Sequence, residues 1–388
     1  MTTRPQHRPI LALLVRAWER GASHLLLDLS STGRAPPRLR IDGSLHDLDP
    51  IGDTATIWQA TCEVFELQAQ ERRIPQRGRA QVRIGDVDVG IAAEVIPVVD
   101  GVFVDVTLWL ADPLRVKGLA RLGLPLEQAD VLRAAVARRA SGLVIFCGPT
   151  SSGKNTSAYA CLIEANPTKQ AVATVERVAR VRLPGVRQSV VDEDAGATAA
   201  ALLRALHRTS IDVVYVRELM DFETAEVSVQ LALSKGVTVL TTVHTPDAPS
   251  ALTRLLNMGV EPYLVAATVR VIQGQRLLRR LCDGCKQATL PLTDALRAAG
   301  VVDDAVGRCF GAVGCVACDQ TGYVGRVLVT EQLVLHDALT TLMIDGASTA
   351  ELRACARTHG MRTMREAALA ALMAGETTLD EVLLNTTA

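Results

Sequence analysis

A glycine-rich segment at residues 148–156, GPTSSGKNT, carries the clearest chemical signal in the sequence. It fits the pattern GxxxxGK and lies between a short apolar run and a stretch with helical spacing, as a phosphate-binding loop requires. In such a loop, backbone N–H groups surround the phosphates and the lysine ammonium reaches the outer two. The candidate nucleotide-binding residues are Gly148, Pro149, Thr150, Ser151, Ser152, Gly153, Lys154, Asn155 and Thr156.

The position after the loop lysine departs from the usual pattern. A Ser or Thr there supplies the hydroxyl that binds Mg²⁺ in P-loop proteins, whereas this sequence has Asn155. An amide oxygen can bind Mg²⁺ but lies one bond farther out, so we expect poorer metal geometry. A one-residue shift of register would offer the Thr156 hydroxyl instead. The alternative to a phosphate loop is an ordinary Gly/Ser-rich turn.

Four of the nine cysteines form two CxxC pairs, Cys282 with Cys285 and Cys315 with Cys318. Each pair can occupy one edge of a tetrahedron, and four thiolates suit a structural zinc ion with no open position. We therefore predict a zinc site that stabilises a small subdomain, with redox chemistry as the alternative. The remaining cysteines are predicted to be ordinary core or surface thiols, and they are Cys62, Cys147, Cys161, Cys309 and Cys355.

The elements around the phosphate loop indicate a mostly parallel sheet. Short apolar strands are predicted at 143–147, 171–176, 212–216 and 237–242, with helices at about 155–164, 196–207 and 222–234. Strands of this length that alternate with helices are typical of a sheet covered on both faces.

The rest of the chain is predicted to form a smaller N-terminal domain and a C-terminal portion. A helix at 8–20, strands at 23–29 and 38–43, and two-residue alternation across 80–110 predict a small α+β domain with an antiparallel sheet. The predicted bounds are 1–112 for this domain, 113–140 for a linker, 141–281 for the P-loop core, 282–320 for the cysteine subdomain and 321–388 for a mainly helical part.

Several motifs in order resemble the hexameric motor ATPases of bacterial type II secretion and type IV pilus assembly. Residues 148–160 are similar to the family's Walker A segment, 212–226 to its Walker B region, and 241–248 (TTVHTPDA) to its histidine box. Further matching segments lie at 22–23, 40–43, 73–76, 78–79, 258–263, 275–282, 321–326 and 331–333. The match extends from about residue 10 to the C-terminus.

This resemblance implies a fold and a set of roles. The fold would be of the α/β class, with a small N-terminal PAS-like α+β domain and a RecA-like P-loop ATPase domain that carries the tetracysteine zinc subdomain. Glu218 would be the Walker B acid that acts with Mg²⁺, and His244 would sense or polarise the terminal phosphate. Glu176 would be the retained Glu of the family's acidic box. The implied cofactors are ATP or ADP with Mg²⁺, and structural Zn²⁺.

The resemblance also implies partners and a location. We expect a homo-oligomeric ring, sixfold by the family's example, in the cytoplasm and attached peripherally to the inner membrane through platform proteins. The apolar run at 10–15 is far shorter than the roughly 20 residues that a bilayer requires. The net charge of −1 argues against broad nucleic-acid binding. Because the sequence starts at the domain that holds RIDG, we expect it to lack the extra N-terminal domain of secretion ATPases.

Several positions lack the residue that the family uses for hydrolysis, and they are Asn155, Arg177, Val178, Arg180, Arg217 and, in the N-terminal domain, Gly90 and Thr107. Two of these replace carboxylates with arginines, which stay protonated and cannot activate water as a base. We therefore expect weak hydrolysis. The alternatives are a non-hydrolysing relative that regulates an active paralogue, and an unrelated P-loop enzyme or zinc-ribbon nucleic-acid protein.

Overall fold

Two compact units make up the part of the chain that a computed structural model describes, namely residues 8–30, 35–49, 52–85, 87–110, 118–137, 141–179, 181–234, 236–289 and 309–387. The first unit is drawn from Met1–Arg115 with Arg180–Arg182, and the second from Val116–Ala179 with Leu183–Ala388. Each unit has its own sheet and its own hydrophobic core. Within these ranges no helix combines the length and apolar character needed to span a bilayer.

The first unit is built on an antiparallel sheet. Its strands are β1 (His24–Ser30), β2 (Arg38–Ile41), β3 (Ser44–Asp47), β4 (Gln76–Ile84), β5 (Val87–Val98) and β6 (Gly101–Leu110). They lie in the order β3-β2-β1-β6-β5-β4, and every neighbouring pair is antiparallel. The two-residue alternation predicted across 80–110 is therefore confirmed as three consecutive antiparallel strands, β4, β5 and β6.

Two helices, α1 (Arg8–Glu19) and α2 (Thr54–Phe65), contribute to the core of this unit. In α1 the fully buried residues are spaced by three or four positions, as an amphipathic helix requires, and they are Ile10, Leu13, Leu14 and Ala17. Helix α2 begins after Asp53, whose Oδ1 accepts a hydrogen bond of 2.8 Å from the Thr56 N–H. The predicted small α+β architecture is thus what the first unit shows.

The second unit contains the larger sheet. Its strands are β7 (Gly142–Cys147), β8 (Val172–Glu176), β9 (Arg187–Val190), β10 (Val213–Val216), β11 (Thr238–Val243), β12 (Val269–Leu281) and β15 (Tyr323–Val334). Between β12 and β15 in the chain, β13 (Gln287–Thr289) and β14 (Cys309–Gly311) form a separate antiparallel pair. The order is β15-β12-β7-β11-β10-β8-β9, with β15 antiparallel to β12 and all other neighbours parallel. Strands β7, β8, β10 and β11 are fully buried and start and end within one residue of the predicted bounds.

The helices of the second unit are α3 (Leu126–Val136), α4 (Lys154–Glu164), α5 (Ala199–His207), α6 (Phe222–Ser234), α7 (Ala248–Asn257), α8 (Pro262–Thr268), α9 (Asp337–Ile344), α10 (Thr349–Thr358), α11 (Met364–Met373) and α12 (Leu379–Asn385). Helix α5 starts three residues later than predicted, because the Thr198 hydroxyl caps it by accepting from the Ala201 N–H at 3.2 Å. Helix α3 lies within the segment predicted as a linker and packs against α4 and β12.

Strands β12 and β15 were missed by the sequence analysis, which predicted a mainly helical part from residue 321. They pair antiparallel, with Gly274 opposite Glu331. A Cβ at Gly274 would lie 2.8 Å from the Glu331 Cγ, so the glycine makes room for this carboxylate. Glu331 is buried and accepts from the Ala248 N–H at 2.5 Å and the Met364 N–H at 3.0 Å. These are the first residues of α7 and α11, where a negative charge is favourable.

Candidate nucleotide-binding site and cysteine cluster

The phosphate loop connects the buried strand β7 to the first turn of α4. Gly148 has φ +147° and Gly153 has φ +89°, which side chains with a Cβ rarely adopt. A Cβ at Gly148 would lie only 2.5 Å from the Gln275 backbone oxygen and 2.6 Å from the Ser152 Oγ. The loop therefore needs glycine at position 148, and it ends at a helix N-terminus whose first N–H groups lack partners within the helix.

Lys154 is held inside this loop. Its side chain is 7% exposed, and the Nζ donates to the carbonyl oxygens of Gly148 at 2.8 Å and Pro149 at 2.7 Å. Burial lowers the pKa of Lys154 to about 8, although the negative charge of Glu218 opposes the shift. The ammonium is thus desolvated and hydrogen-bonded to the loop carbonyls.

Asn155 takes part in a chain of buried polar groups. The Tyr215 hydroxyl, from the fully buried side chain on β10, donates to the Asn155 Oδ1 at 2.8 Å. Tyr159, one turn further along α4, packs edge-on against the Tyr215 ring with the centroids 5.7 Å apart, and its hydroxyl donates to the Glu176 carboxylate. The amide oxygen at the position of the usual magnesium hydroxyl is therefore engaged by a tyrosine, while Thr156 is exposed.

Glu176 lies at the end of β8 and has no exposed surface. Burial raises the pKa of Glu176, and the hydrogen bond from Tyr159 acts in the opposite direction. This carboxylate is therefore held in the interior by Tyr159 rather than presented at the edge of the sheet.

Glu218 and His244 form a pair at the ends of two adjacent parallel strands, β10 and β11. The His244 Nε2 lies 3.2 Å from the Glu218 Oε1, and both side chains are partly exposed. Burial and the charge of Lys154 lower the pKa of His244, whereas Glu218 raises it. A neutral imidazole can donate one N–H to this carboxylate. The structure thus brings Glu218 and His244 together, close enough to Lys154 for its charge to interact with both.

The arginines that replace expected residues lie beside Glu218. A cavity of about 230 Å³ is lined by Arg177, Arg217 and Glu218, among others. Arg177 forms an exposed ion pair of 2.8 Å with Glu193. The Arg217 Nη1 donates to the Val178 carbonyl at 3.2 Å. Two guanidinium groups therefore share one cavity with the acid that follows β10.

Three other departures lie elsewhere in the chain. Arg180 falls outside the described residues. Gly90 and Thr107 lie on the neighbouring strands β5 and β6 of the first unit, where Gly90 pairs with Trp109 and Thr107 with Ala92.

Two residues of β12 next to the phosphate loop, Gln275 and Arg276, fall in the matching segment 275–282 but were given no role from the sequence. The Gln275 Nε2 donates to the Ser152 carbonyl at 2.9 Å. Arg276 donates to the Gln275 carbonyl at 3.0 Å and to the Pro246 carbonyl at 2.6 Å, so it connects β12 to the segment after His244. The available signal was a Gln-Arg pair in a run that mixes apolar and polar residues, and its meaning depends on β12 lying next to β7.

Buried polar atoms without hydrogen-bond partners indicate that the loop can bind a phosphate ligand. In the described part of the chain, the buried Ser152 Oγ has no hydrogen-bond partner, and neither has the buried Gln275 Oε1. Buried polar atoms are rarely left without a partner. A donor hydroxyl without a partner, in a loop that also holds a buried ammonium, suits an anion with several acceptor oxygens.

The four predicted cysteine ligands form one cluster. The Sγ atoms of Cys282 and Cys315 lie 3.9 Å apart, those of Cys285 and Cys318 3.8 Å, and those of Cys315 and Cys318 3.7 Å. Four thiolates around zinc at about 2.3 Å define a tetrahedron with edges of about 3.8 Å. The sulfur positions therefore fit a tetrahedral zinc ion.

Backbone groups around Cys318 favour its thiolate form. Burial alone would raise the pKa of Cys318, but the N–H groups of Cys315 and Gly322 each donate to its Sγ at 3.2 Å and the pKa is lowered to about 6. The Cys282 N–H donates to the Gly322 carbonyl at 2.9 Å, where β12 ends and β15 is about to begin. The cluster therefore lies at the end of the β12–β15 ladder.

Comparison with known proteins identifies the family. A sequence model described as "Type II/IV secretion system protein" matches residues 2–384. The chain belongs to this family. The resemblance noted in the sequence is thereby confirmed.

Two curated relatives show which members of the type II/IV secretion family are similar to this chain. The type IV pilus assembly ATPase PilB of Myxococcus xanthus is 37% identical over 355 residues, which cover 90% of this chain and 62% of that protein. The type II secretion system protein HxcR of Pseudomonas aeruginosa is 36% identical over 385 residues, covering 98% of this chain and 77% of that protein. The chain thus spans less than two thirds of the length of the first relative.

A solved structure supports the fold expected for the family. The pilus retraction motor PilT with bound ADP aligns with a TM-score of 0.67 and 23% identity, covering 98% of this chain and 97% of that one. This likeness confirms the predicted α/β architecture, and the sulfur cluster is present where the sequence placed it.

Proposed function

We propose that this chain is a nucleotide-binding, motor-type ATPase subunit of a type II secretion or type IV pilus assembly system, and that its hydrolysis is weak. The observation that carries the proposal is the phosphate loop, in which the Lys154 ammonium is buried against the Gly148 and Pro149 carbonyls beside the Glu218–His244 pair. The names of the curated relatives, a pilus assembly ATPase and a type II secretion protein, support the same function.

The residues of the loop would divide the work of binding ATP or ADP. Lys154 would leave the loop carbonyls and donate to the outer phosphates, while the N–H groups at the start of α4 and the Ser152 hydroxyl would donate to phosphate oxygens. Mg²⁺, when bound, neutralises charge on those phosphates. Glu218 would face the magnesium site, and His244 would direct one ring nitrogen at the terminal phosphate.

Three features of the site oppose fast hydrolysis. The Asn155 oxygen is occupied by the Tyr215 hydroxyl, so its contribution to a magnesium site requires that bond to break. Glu176 is buried and bonded to Tyr159, away from solvent. Arg177 stands where the family has a carboxylate, and a guanidinium cannot accept a proton from water. A loss of about tenfold at each would raise the barrier by about 1.4 kcal/mol each time, although groups that act together are not additive.

The proposed setting follows the family. The chain would form a sixfold homo-oligomeric ring, bound peripherally to inner-membrane platform proteins on the cytoplasmic side. A structural Zn²⁺ would be held by Cys282, Cys285, Cys315 and Cys318. The near-neutral charge supports protein partners rather than nucleic acid.

A second candidate function is supported by the Asn155–Tyr215 hydrogen bond. If that bond persists with nucleotide present, the chain would bind nucleotide without turning it over. It would then regulate or scaffold an active paralogue in the same assembly.

Nucleotide affinity and steady-state turnover test the proposal together. We expect the wild type to bind ADP and ATP, and Lys154→Ala to lose at least about tenfold in affinity, since one charge-assisted contact contributes about 1.5–3 kcal/mol. Turnover of the assembled wild type should be measurable, low and abolished in Glu218→Gln. Equal affinity in the wild type and Lys154→Ala would remove the binding claim. Turnover indistinguishable from Glu218→Gln would favour the regulatory function.

A further inference from the structure

A second cluster of metal-ligating side chains lies apart from the nucleotide site and the four-cysteine cluster. It consists of His336, Cys355 and His359. One ring nitrogen of each histidine and the cysteine sulfur all lie within 4.8 Å of one another. The sequence analysis treated Cys355 as an ordinary thiol and assigned no role to either histidine.

Local structure explains why these three side chains meet. His336 is the N-cap residue of α9, two positions after the end of β15, and its side chain makes no capping hydrogen bond. Cys355 and His359 are four residues apart at the end of α10, so they share one face of that helix. The two imidazole rings face each other, with centroids 4.0 Å apart and planes at 31°.

The atoms of the cluster point to a ligand. In the described part of the chain, the His336 Nε2 is shut off from water and has no hydrogen-bond partner. A buried polar atom in this state costs about 1–3 kcal/mol unless something satisfies it. The His359 Nδ1 lies 2.9 Å from the Cys355 carbonyl oxygen, so Nδ1–H donates to that carbonyl and the lone pair is left on Nε2. A histidine that binds a metal usually donates its other ring N–H in this way.

A cavity beside the two histidines leaves room for a ligand to enter and leave. The two histidines line a cavity of about 310 Å³ together with Glu127, Gln128 and Gln332. His359 itself is exposed. Three protein ligands next to an open cavity are typical of a site that keeps one position for water or another small ligand.

We propose that His336, Cys355 and His359 form a second metal site for a zinc-class divalent ion, with a fourth position that faces the cavity. Two imidazoles and one thiolate suit Zn²⁺ better than Mg²⁺ or Ca²⁺, which prefer oxygen ligands. The ion would exchange more readily than the one in the four-cysteine cluster, because one of its ligands is exposed and its coordination is incomplete. Its binding would link the end of β15 to the end of α10.

Zinc content of the untagged full chain tests this site. After equilibration with zinc and removal of the free ion, we expect two zinc ions per wild-type chain and one in His336→Gln and in His359→Gln. Mild chelation should remove the second ion from the wild type first. A matched control is His207→Gln, because His207 is partly exposed, its Nε2 lies 2.9 Å from the Ser234 Oγ, and it belongs to neither cysteine-containing cluster of the described residues. The control should keep both ions.

Alkylation of Cys355 gives a second readout, and its wild-type part does not depend on how stable the variants are. Zinc should slow the modification of Cys355 in the wild type, and a chelator should restore it. His336→Gln should abolish this protection while the four-cysteine zinc is retained. One zinc per wild-type chain at saturation, two in the histidine variants, or Cys355 reactivity that ignores zinc would each overturn the proposal.

Discussion

Lys154 shows how a single residue prepares the loop for an anion. Its charge is buried and balanced by two carbonyl oxygens and by the nearby Glu218. Because carbonyls carry only partial charge, this balance is incomplete, and the pKa is lowered to about 8. Phosphate oxygens would stabilise the ammonium more fully than the carbonyls do. Binding of an anion would therefore offset part of the free-energy cost of burying the Lys154 charge.

This electrostatic balance predicts the pH dependence of nucleotide affinity. A lowered lysine pKa means that the ammonium is fully charged below about pH 7 and loses its proton as pH rises through about 8. Nucleotide binds the charged form, so affinity should fall by about tenfold between about pH 7 and about pH 9. Calorimetric titration of ADP across this range measures it. Lys154→Arg is the control, since arginine stays charged and its affinity should not change with pH; a wild-type profile equally flat would contradict the pKa argument.

The hydrogen bond from Tyr215 to Asn155 affects how well the site can bind magnesium. The amide oxygen accepts from a hydroxyl on a fully buried ring, so moving the amide toward a metal leaves that hydroxyl without a partner. An unsatisfied buried hydroxyl costs about 1–3 kcal/mol. The pair thus opposes metal binding at the position where a Ser or Thr would favour it.

Replacing both members of the pair should restore magnesium binding. Asn155→Thr supplies the hydroxyl, and Tyr215→Phe removes the donor that would otherwise be stranded. We expect the double variant to turn over ATP about tenfold faster than wild type, equivalent to about 1.4 kcal/mol of the barrier, with a lower magnesium requirement. Tyr215→Phe alone should give a smaller gain, since it frees the Asn155 amide oxygen but leaves that oxygen one bond farther out than a Ser or Thr hydroxyl. An unchanged rate in the double variant would show that the arginines, rather than Asn155, limit hydrolysis.

Sequence reasoning found the residues whose identity is fixed by local chemistry. Lys154 and the two glycines belong to a contiguous motif, and the four cysteines are recognisable by their spacing. It placed Tyr159, Tyr215, Gln275 and Arg276 in matching segments but gave them no role, because their roles arise from neighbours that are 17 to 123 positions away in the chain. Such contacts depend on strand order, which local patterns do not encode.

At the scale of elements, the cysteine cluster and the β12–β15 ladder form one unit. The cluster lies where the ladder ends, and the Leu278 and Val329 side chains below it pack against α11 and α12. Arg279, in the same part of β12, donates through its backbone N–H and its guanidinium to the buried Glu381 of α12. A metal that fixes the ladder end would therefore stabilise these helices as well.

Loss of one cysteine ligand should show that dependence. We expect Cys315→Ser to lose the zinc of this cluster and to lower the melting temperature, since removal of a structural metal exposes the ladder end. Zinc content and thermal unfolding of the full chain measure the two effects. Cys309→Ser is the matched control, because Cys309 is buried on β14 and is not part of the cluster. Full zinc and unchanged melting in Cys315→Ser would contradict a structural metal.

The elements that were predicted and those that were missed differ in a physical way. Strands β7, β8, β10 and β11 are short, apolar and buried on both faces, so composition alone marks them. Strand β12 contains Gln273, Gln275 and Arg276, and its antiparallel partner β15 lies about 50 residues later with Glu331 buried in it. Buried polar groups break the apolar pattern of a strand, and they are satisfied only after distant elements assemble.

At the scale of the whole molecule, the family resemblance implies that the chemistry is divided between the two units. The second unit holds the phosphate loop, Glu218 and His244. By the same resemblance, Gly90 and Thr107 of the first unit are at the positions where the family supplies arginines. Arginines from a neighbouring domain can accelerate phosphoryl transfer by about 10³–10⁵. Their absence at these positions predicts slow turnover even in a fully assembled ring.

Ring formation should not require the two missing arginines, because assembly depends on the surfaces of the subunits rather than on the rate of ATP hydrolysis. RecA-like subunits associate head to tail, and such heterologous contacts close into a ring when the rotation between subunits permits. We expect a species of six times 41.5 kDa in the presence of saturating non-hydrolysable nucleotide, measured by sedimentation or mass photometry. Lys154→Ala should assemble less at the same nucleotide concentration, whereas Glu218→Gln, which leaves the loop intact, should assemble as well as wild type. If all three proteins assemble equally without nucleotide, the ring is independent of the loop. A wild type that stays at 41.5 kDa with nucleotide and with its membrane partner present would rule out the sixfold assembly.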